Sequence, residues 1–422
     1  MRLGLVMLML LVISGGVLAQ DTPFVMSPEL ETHLLTLETM AAEIRELEPL
    51  EEVVLKFPTR AELIDYLNGV IAEELDDAII AEAMATYVPF GFLPPDADLK
   101  QIFLDLYGQQ IAGFYDSDTQ EMNVILTSGE TPEDELPLLD QITFVHEFVH
   151  ALQDQHFGLD AYIASLDELD NDDMALAMIA LVEGDATYAM TLFTEQATAE
   201  NPFGAMLEIL SSGLEAGNLS LPADTPEIIG AELLFPYEAG MTFVTALVAA
   251  GGWQAVDAAF ANPPVSTEQI LHPEKYIAGE MPIAVTLVES STRLGGEWEQ
   301  AKTGVLGEFY LARFLDQQLA SRQANAAAAG WGGDAYTVYQ HKTSGAYVLT
   351  LKIAWDTAAE ATEFVTAFDA YRMSAAAVET AEACMTIGSQ AWCAAYTETE
   401  TILTAAPTSE LAQALLDGQV NR

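Results

Sequence analysis

The chain has 422 residues and carries 65 acidic against 14 basic side chains, a formal net charge of −51. That balance sets nucleic acid aside as a partner and disfavours anionic membrane surfaces, because both call for clustered Lys and Arg. Two cysteines exclude a disulfide-built scaffold, and roughly 400 mature residues bury two or three domain cores without staples.

Residues 1–19, MRLGLVMLMLLVISGGVLA, read as a secretory signal peptide: one basic residue, Arg2, an apolar run from Leu3 to Ile13, then small residues before a cut after Ala19. Ser14, Gly15 and Gly16 interrupt the run before the roughly 20 apolar residues that a spanning helix needs, which favours cleavage over an uncleaved anchor. No later stretch reads as long and apolar enough to cross a bilayer, so the mature chain is expected to be secreted and free of the membrane.

From Ser27 to about Leu55 apolar residues recur at helical spacing (Leu34, Leu37, Met40, Ile44, Leu47), and a second helical run follows from Thr59 towards Thr86. Pro94 and Pro95 break the chain before a third helix, Asp98 to Gln110. Residues 20–100 thus form an N-terminal helical segment. A permanent subdomain is favoured over a removable inhibitory one, since no cysteine is at hand there to cap a metal. The pattern then changes. Gly113 to Tyr115 and Met122 to Leu126 are short apolar runs around DSDTQE, which predicts a β-hairpin.

Asp140 is placed to cap a helix running to about His156, with Ile142, Val145, Val149 and Leu152 on its buried face. The acidic stretch Ser165 to Asp173 lacks the glycine of a calcium-binding EF-hand and reads as a solvated loop, with Asp172 or Asp173 capping the next helix. That helix, Met174 to about Gln196, is apolar almost all round, so Glu183 and Asp185 in its middle demand partners or a metal. Residues 200–325 look mainly helical. Strands are predicted at Tyr336 to Gln340, Tyr347 to Trp355 and Trp392 to Thr397, with a helix from Ala358 to Tyr371 among them. GWGGDAYTVY reads as core of that module. Cys384 and Cys393, nine residues apart, can pair in an oxidising compartment.

The chemistry concentrates in HEFVHALQDQH, His146 to His156. Residues four apart share one helix face, so His146 and His150 present ring nitrogens to one ion. Glu147, about 100° round the helix, stands off the metal within reach of water there. Two histidines leave a catalytic zinc one protein ligand short. Glu183 in ALVEGDA is one candidate, and Gly184 beside it lets its helix come close to the first. His156 is the other, at the position of the metzincin third histidine. The glycine that turns a metzincin chain back to its metal is here Gln153, however, and a straight helix carries His156 roughly 15 Å along its axis. Glu183 therefore ranks before His156. Asp185 and Asp154 are candidates for orienting a ligand imidazole.

HEFVH followed at a distance by Glu183 resembles the gluzincin zinc peptidases, and more narrowly a group of poorly characterised secreted bacterial members with HALQDQHF, EGDA and STEQILHPEKY segments. GFYDSDTQEMNVI looks like the hairpin beside the active-site helix of these enzymes, whose edge strand holds extended substrate. The resemblance covers roughly residues 100–260 and implies a mainly helical zincin-like core for the domain over 101–325; with the small α+β module that the strand pattern gives over 326–422, the expected fold class is α+β. It implies one zinc ion on His146, His150 and Glu183, with Glu147 as general base. FPYEAGMTFVTAL resembles the segment whose tyrosine steadies the oxyanion, which makes Tyr237 the candidate, ahead of His272 and Tyr276 in STEQILHPEKY. The GxMEN segment of the aminopeptidases is absent, so endopeptidase action on polypeptide is the expected activity. A secreted binding or scaffold protein that keeps the fold without turnover is the competing reading, and the intact Glu147 argues against it.

Overall fold

The computed structural model describes residues 26–420 except 118, 128, 168–170, 201, 203–220, 376–377 and 382–383. The expected signal peptide lies outside the described residues. The fold is α+β, with a helical part that carries a small three-stranded sheet and a C-terminal part built on a seven-stranded antiparallel sheet.

Ser27 caps the first helix, α1 (Pro28–Arg45), by accepting from the Leu30 N–H, and Glu46 ends it in the left-handed region. The expected continuation to Leu55 is corrected: Val54–Lys56 is a strand, β1, paired in parallel with a segment some 65 residues on. No local pattern announces such a long-range pairing. The run expected from Thr59 to Thr86 is two helices, α2 (Arg60–Glu74) and α3 (Asp77–Tyr87), because Asp76 turns its carboxylate onto the N–H groups of Ala78 and Ile79 and starts a new helix. Asp98 caps α4 (Leu99–Gln110) as its sequence position suggests.

The hairpin forms from β2 (Gly113–Asp116) and β3 (Glu121–Val124), in register from Gly113 opposite Val124 to Asp116 opposite Glu121. Strand order is β1-β3-β2, which leaves β2 at an edge. Next comes α5 (Leu138–Phe157), started at Pro137 rather than capped by Asp140. Asp140 is buried in its first turn and accepts the Thr127 N–H at 3.0 Å, tying down the loop before it. Ser165 to Asp167, expected as loop, end a further helix, α6 (Leu159–Asp167). The cap of α7 (Asp172–Glu200) comes from Asn171, whose side chain takes the Met174 N–H; Asp173 is buried and holds Thr267 instead.

Beyond it lie α8 (Glu227–Gly251) and α9 (Trp253–Ala261). By length and composition both α7 and α8 are apolar enough to cross a bilayer, against expectation. Within this fold α7 is a core helix, with 78% of its apolar window buried; the corresponding figure for α8 is 39%.

Residues 200–325 were expected to be helical, yet β4 (Trp298–Gly304) lies among them and begins the large sheet. It is joined by β5 (Trp331–His341), β6 (Tyr347–Trp355), β7 (Val378–Ala381), β8 (Cys384–Ile387), β9 (Gln390–Tyr396) and β10 (Glu400–Ala406), in the order β4-β5-β6-β10-β9-β8-β7. The helices α10 (Gly307–Asp316), α11 (Ser321–Ala328), α12 (Ala358–Ser374) and α13 (Ser409–Val420) complete this part. Trp331 and Tyr336 of GWGGDAYTVY are core residues, as expected. Cys384 and Cys393 face each other across β8 and β9 and are joined as a disulfide, Cα to Cα 4.1 Å.

Candidate metal centre

Three buried side chains converge between α5 and α7. His146 and His150, one turn apart on α5, bring their Nε2 atoms to 3.1 Å of each other. Glu Oε2 of residue 183 lies 3.3 Å from His146 Nε2 and 3.5 Å from His150 Nε2. These atoms have the composition and spacing of a metal ligand set.

Two close backbone approaches set the surroundings. A side chain on Gly184 would put its Cβ 2.2 Å from the Gly240 carbonyl carbon, and one on Gly240 would meet the Ala180 oxygen at 2.1 Å. The glycine beside Glu183 thus closes α7 onto α8, not onto α5 as its sequence position suggested. This crossing lies one turn from Tyr237 and brings that ring to 6.0 Å from the His146 ring, with its hydroxyl facing Glu183. On the other side a Cβ at Gly113 would stand 2.9 Å from Glu147 Cγ, so the glycine lets edge strand β2 lie directly against the motif. Between these elements is a cavity of about 220 Å3 whose lining includes Tyr107, Ile111, Gly113, His146, Glu147 and Tyr237.

The electrostatics are those of a buried carboxylate paired with an imidazole. Burial works to raise Glu183, but the charge of His150 and the hydrogen bonds of both imidazoles outweigh it and take the carboxyl down to about 2. Burial likewise works against a proton on His150, and the carboxylate of Glu183 overcomes it, raising the imidazole to about 9. His146 is lowered by burial. Glu147 is lifted to about 8, chiefly by burial. A cation on the three ligands favours its carboxylate form.

Residues 292–416 match a family model described as a domain of unknown function, DUF8575. That DUF8575 region runs from before β4 into α13, so it takes in the large sheet and none of the three converging side chains. No curated protein and no solved structure matches the chain.

The alternative residues fall elsewhere. His156 Nε2 meets the Glu48 carbonyl at 2.8 Å and holds the loop after α1. His272 pairs with Glu308 at 2.9 Å and lines a separate cleft of about 750 Å3 between α8 and the helices of the DUF8575 region. Tyr276 donates to the Asn262 carbonyl. Asp154, expected beside an imidazole, accepts from the Tyr115 hydroxyl at 2.9 Å. Asp185 reaches a ligand only indirectly: its Oδ2 accepts from Gln153 Nε2 at 2.9 Å, and Gln153 Oε1 lies 2.8 Å from His150 Nδ1.

Gln153, Arg45 and Tyr107 were not foreseen. Gln153 stands three residues after His150, on the same helix face, which was signal enough. Arg45 continues the buried spacing Leu37, Ala41 of α1 in a chain with few basic residues. Tyr107 is fully buried, lines the cavity, and its hydroxyl has no hydrogen-bond partner among the described residues; nothing in the sequence separates it from ordinary core.

Proposed function

We propose that this chain is a secreted zinc-dependent peptidase with a zincin-like core, acting on polypeptide. The observation that carries the reading is the buried convergence of His146, His150 and Glu183 beside a cavity that Glu147 and Tyr237 also line. The donor set fits zinc: two imidazoles and one carboxylate are the protein ligands of a catalytic site that keeps a further position open. Both oxygens of Glu183 are buried and neither is taken by a backbone N–H, which fits a carboxylate reserved for a cation.

Zinc bound there would lower the pKa of water and polarise the scissile carbonyl. Glu147 takes the proton from water and passes it to the leaving amine. Tyr237 donates its hydroxyl proton to the oxygen on which negative charge develops. Edge strand β2, which Gly113 lets lie against the motif, gives the Tyr115 backbone N–H to the Glu147 carboxylate and so places the base beside the cavity, with the extended substrate running alongside. The Cys384–Cys393 disulfide is compatible with an oxidising, extracytoplasmic setting.

The test is casein hydrolysis by the purified chain, with and without a chelator, alongside Glu147→Gln. Chelation is expected to abolish activity and zinc to restore it. Glu147→Gln should keep zinc and lose hydrolysis about 100-fold or more. Wild-type turnover in that variant would overturn the reading.

A further inference from the structure

The ligand His150 stands at one end of a chain of buried polar contacts whose far end is the N-terminal helix. Gln153 Nε2 faces two acceptors, the Val182 carbonyl at 3.0 Å and Asp185 Oδ2 at 2.9 Å. Both positions require the amide nitrogen, so the amide oxygen must face His150. His150 therefore carries its proton on Nδ1 and donates it to Gln153 Oε1 at 2.8 Å. That leaves Nε2, which faces Glu183 and His146, as the nitrogen whose lone pair a metal ion would take in place of a proton.

What holds Asp185 in place comes from another part of the chain. Its Oδ1 pairs with Arg45 Nε at 2.7 Å, both side chains fully buried. Arg45 ends α1, lies over the Trp253 ring at 4.5 Å, and donates from its other arm to Asp257 Oδ1 on α9 at 2.7 Å. A fully buried arginine on an otherwise apolar helix face is costly unless it has work at its far end. Here the far end is the carboxylate that orients Gln153.

We infer that Arg45 is a positioning residue of the metal centre: through Asp185 and Gln153 it fixes the tautomer and ring orientation of His150. The N-terminal segment is then an integral part of the site and not a removable cover. The parallel pairing of β1 with β3, the strand beside edge strand β2, agrees with that placement. The inference rests on the metal reading of His146, His150 and Glu183 and is independent of peptide hydrolysis.

The experiment measures zinc affinity of the full chain by competition with a chelator, using zinc chloride as the only added ligand. Arg45→Met and Gln153→Met are each expected to weaken zinc tenfold or more, as loss of an outer-shell partner does. Combined, they should lose little beyond the larger single effect, because they break one chain at two points. Arg45→Lys, which keeps the charge beside Asp185, should recover most of the affinity. A long-range 1H–15N spectrum should show the His150 ring protonated on Nδ1 in the wild type and a tautomer mixture in Arg45→Met.

Should Arg45→Met fail to fold, Arg45→Met/Asp185→Leu removes both buried charges and keeps the volume apolar; it is expected to bind zinc as weakly as Gln153→Met. Wild-type affinity in either folded variant, or additive losses in the combination, overturns the inference. A wild-type chain that binds zinc without hydrolysing casein sinks the peptidase proposal and leaves this one standing; one that binds no zinc overturns both.

Discussion

Two buried carboxylates, one in each part of the molecule, are solved in opposite ways. Asp334, on β5 of the sheet, receives the N–H groups of Leu306 and Gly307 at 2.8 Å each and the Trp331 indole N–H at 2.7 Å. Burial raises it to about 6 against those donors. Glu183, on α7, is buried as deeply, yet its neighbours are two imidazoles, and it is held down at about 2. A carboxylate answered by neutral N–H donors is part of the scaffold. One answered by two imidazoles belongs to a group that could hold a metal ion.

The sharpest way to break this comparison is to remove each carboxylate. Glu183→Ala is expected to abolish stoichiometric zinc and all hydrolysis while the metal-free fold survives. Asp334→Ala should do the reverse. It leaves three buried donors unmet, costing about 3 kcal/mol or more of stability, with zinc content unchanged in the protein that folds. Metal analysis and chemical denaturation of the two variants read both quantities; loss of zinc with Asp334 would end the distinction. Tyr237→Phe has the next largest effect. It should lower kcat roughly 100-fold with KM and zinc content unchanged, the mark of a donor used only in the transition state.

The contrast also explains how much the sequence revealed. His146, Glu147 and His150 were legible because one helical turn of spacing is a local property. Glu183 was legible because a carboxylate in an apolar helix is conspicuous. The loop around Asp76 and strands β1, β4, β7, β8 and β10 were not. For β1, β4 and the β6 side of β10 the cause is a partner distant in sequence; β7 and β8 are hairpin strands of four residues, too short to show an alternation; at Asp76 a cap interrupts a run of helix formers. Arg45 and Asp185 could each be singled out, but nothing in the sequence shows that one side chain meets the other across 140 residues.

A smaller effect distinguishes the parts by pH. His150, raised to about 9, contributes stability that is complete below its unfolded value of 6.5 and is lost as pH rises through 9. Glu147, raised to about 8 from 4.5, acts in the same direction, since the folded state holds a proton that the unfolded state releases. Glu232 and Glu268, each near 7 by burial, add a slope at lower pH that zinc does not touch. Thermal melts should therefore show the metal-free chain weakening from pH 7 to 9, and the gain in melting temperature on adding zinc widening over the same interval. A gain independent of pH would mean that zinc binds elsewhere.

The smallest effect on function belongs to the disulfide. Cys384 and Cys393 close a short loop between β8 and β9, next to the sheet edge at β7 and on the far side of the sheet order from β4. A loop of this length is worth about 2–3 kcal/mol against the unfolded chain. Its hairpin, however, makes no contact with the cavity lined by Glu147, so its loosening stays local. Cys384→Ala/Cys393→Ala is expected to speed amide exchange in β8 and β9 while zinc affinity and kcat/KM hold at wild-type values. A matching loss of zinc would show that the sheet supports the metal centre after all and that the two parts are one cooperative unit.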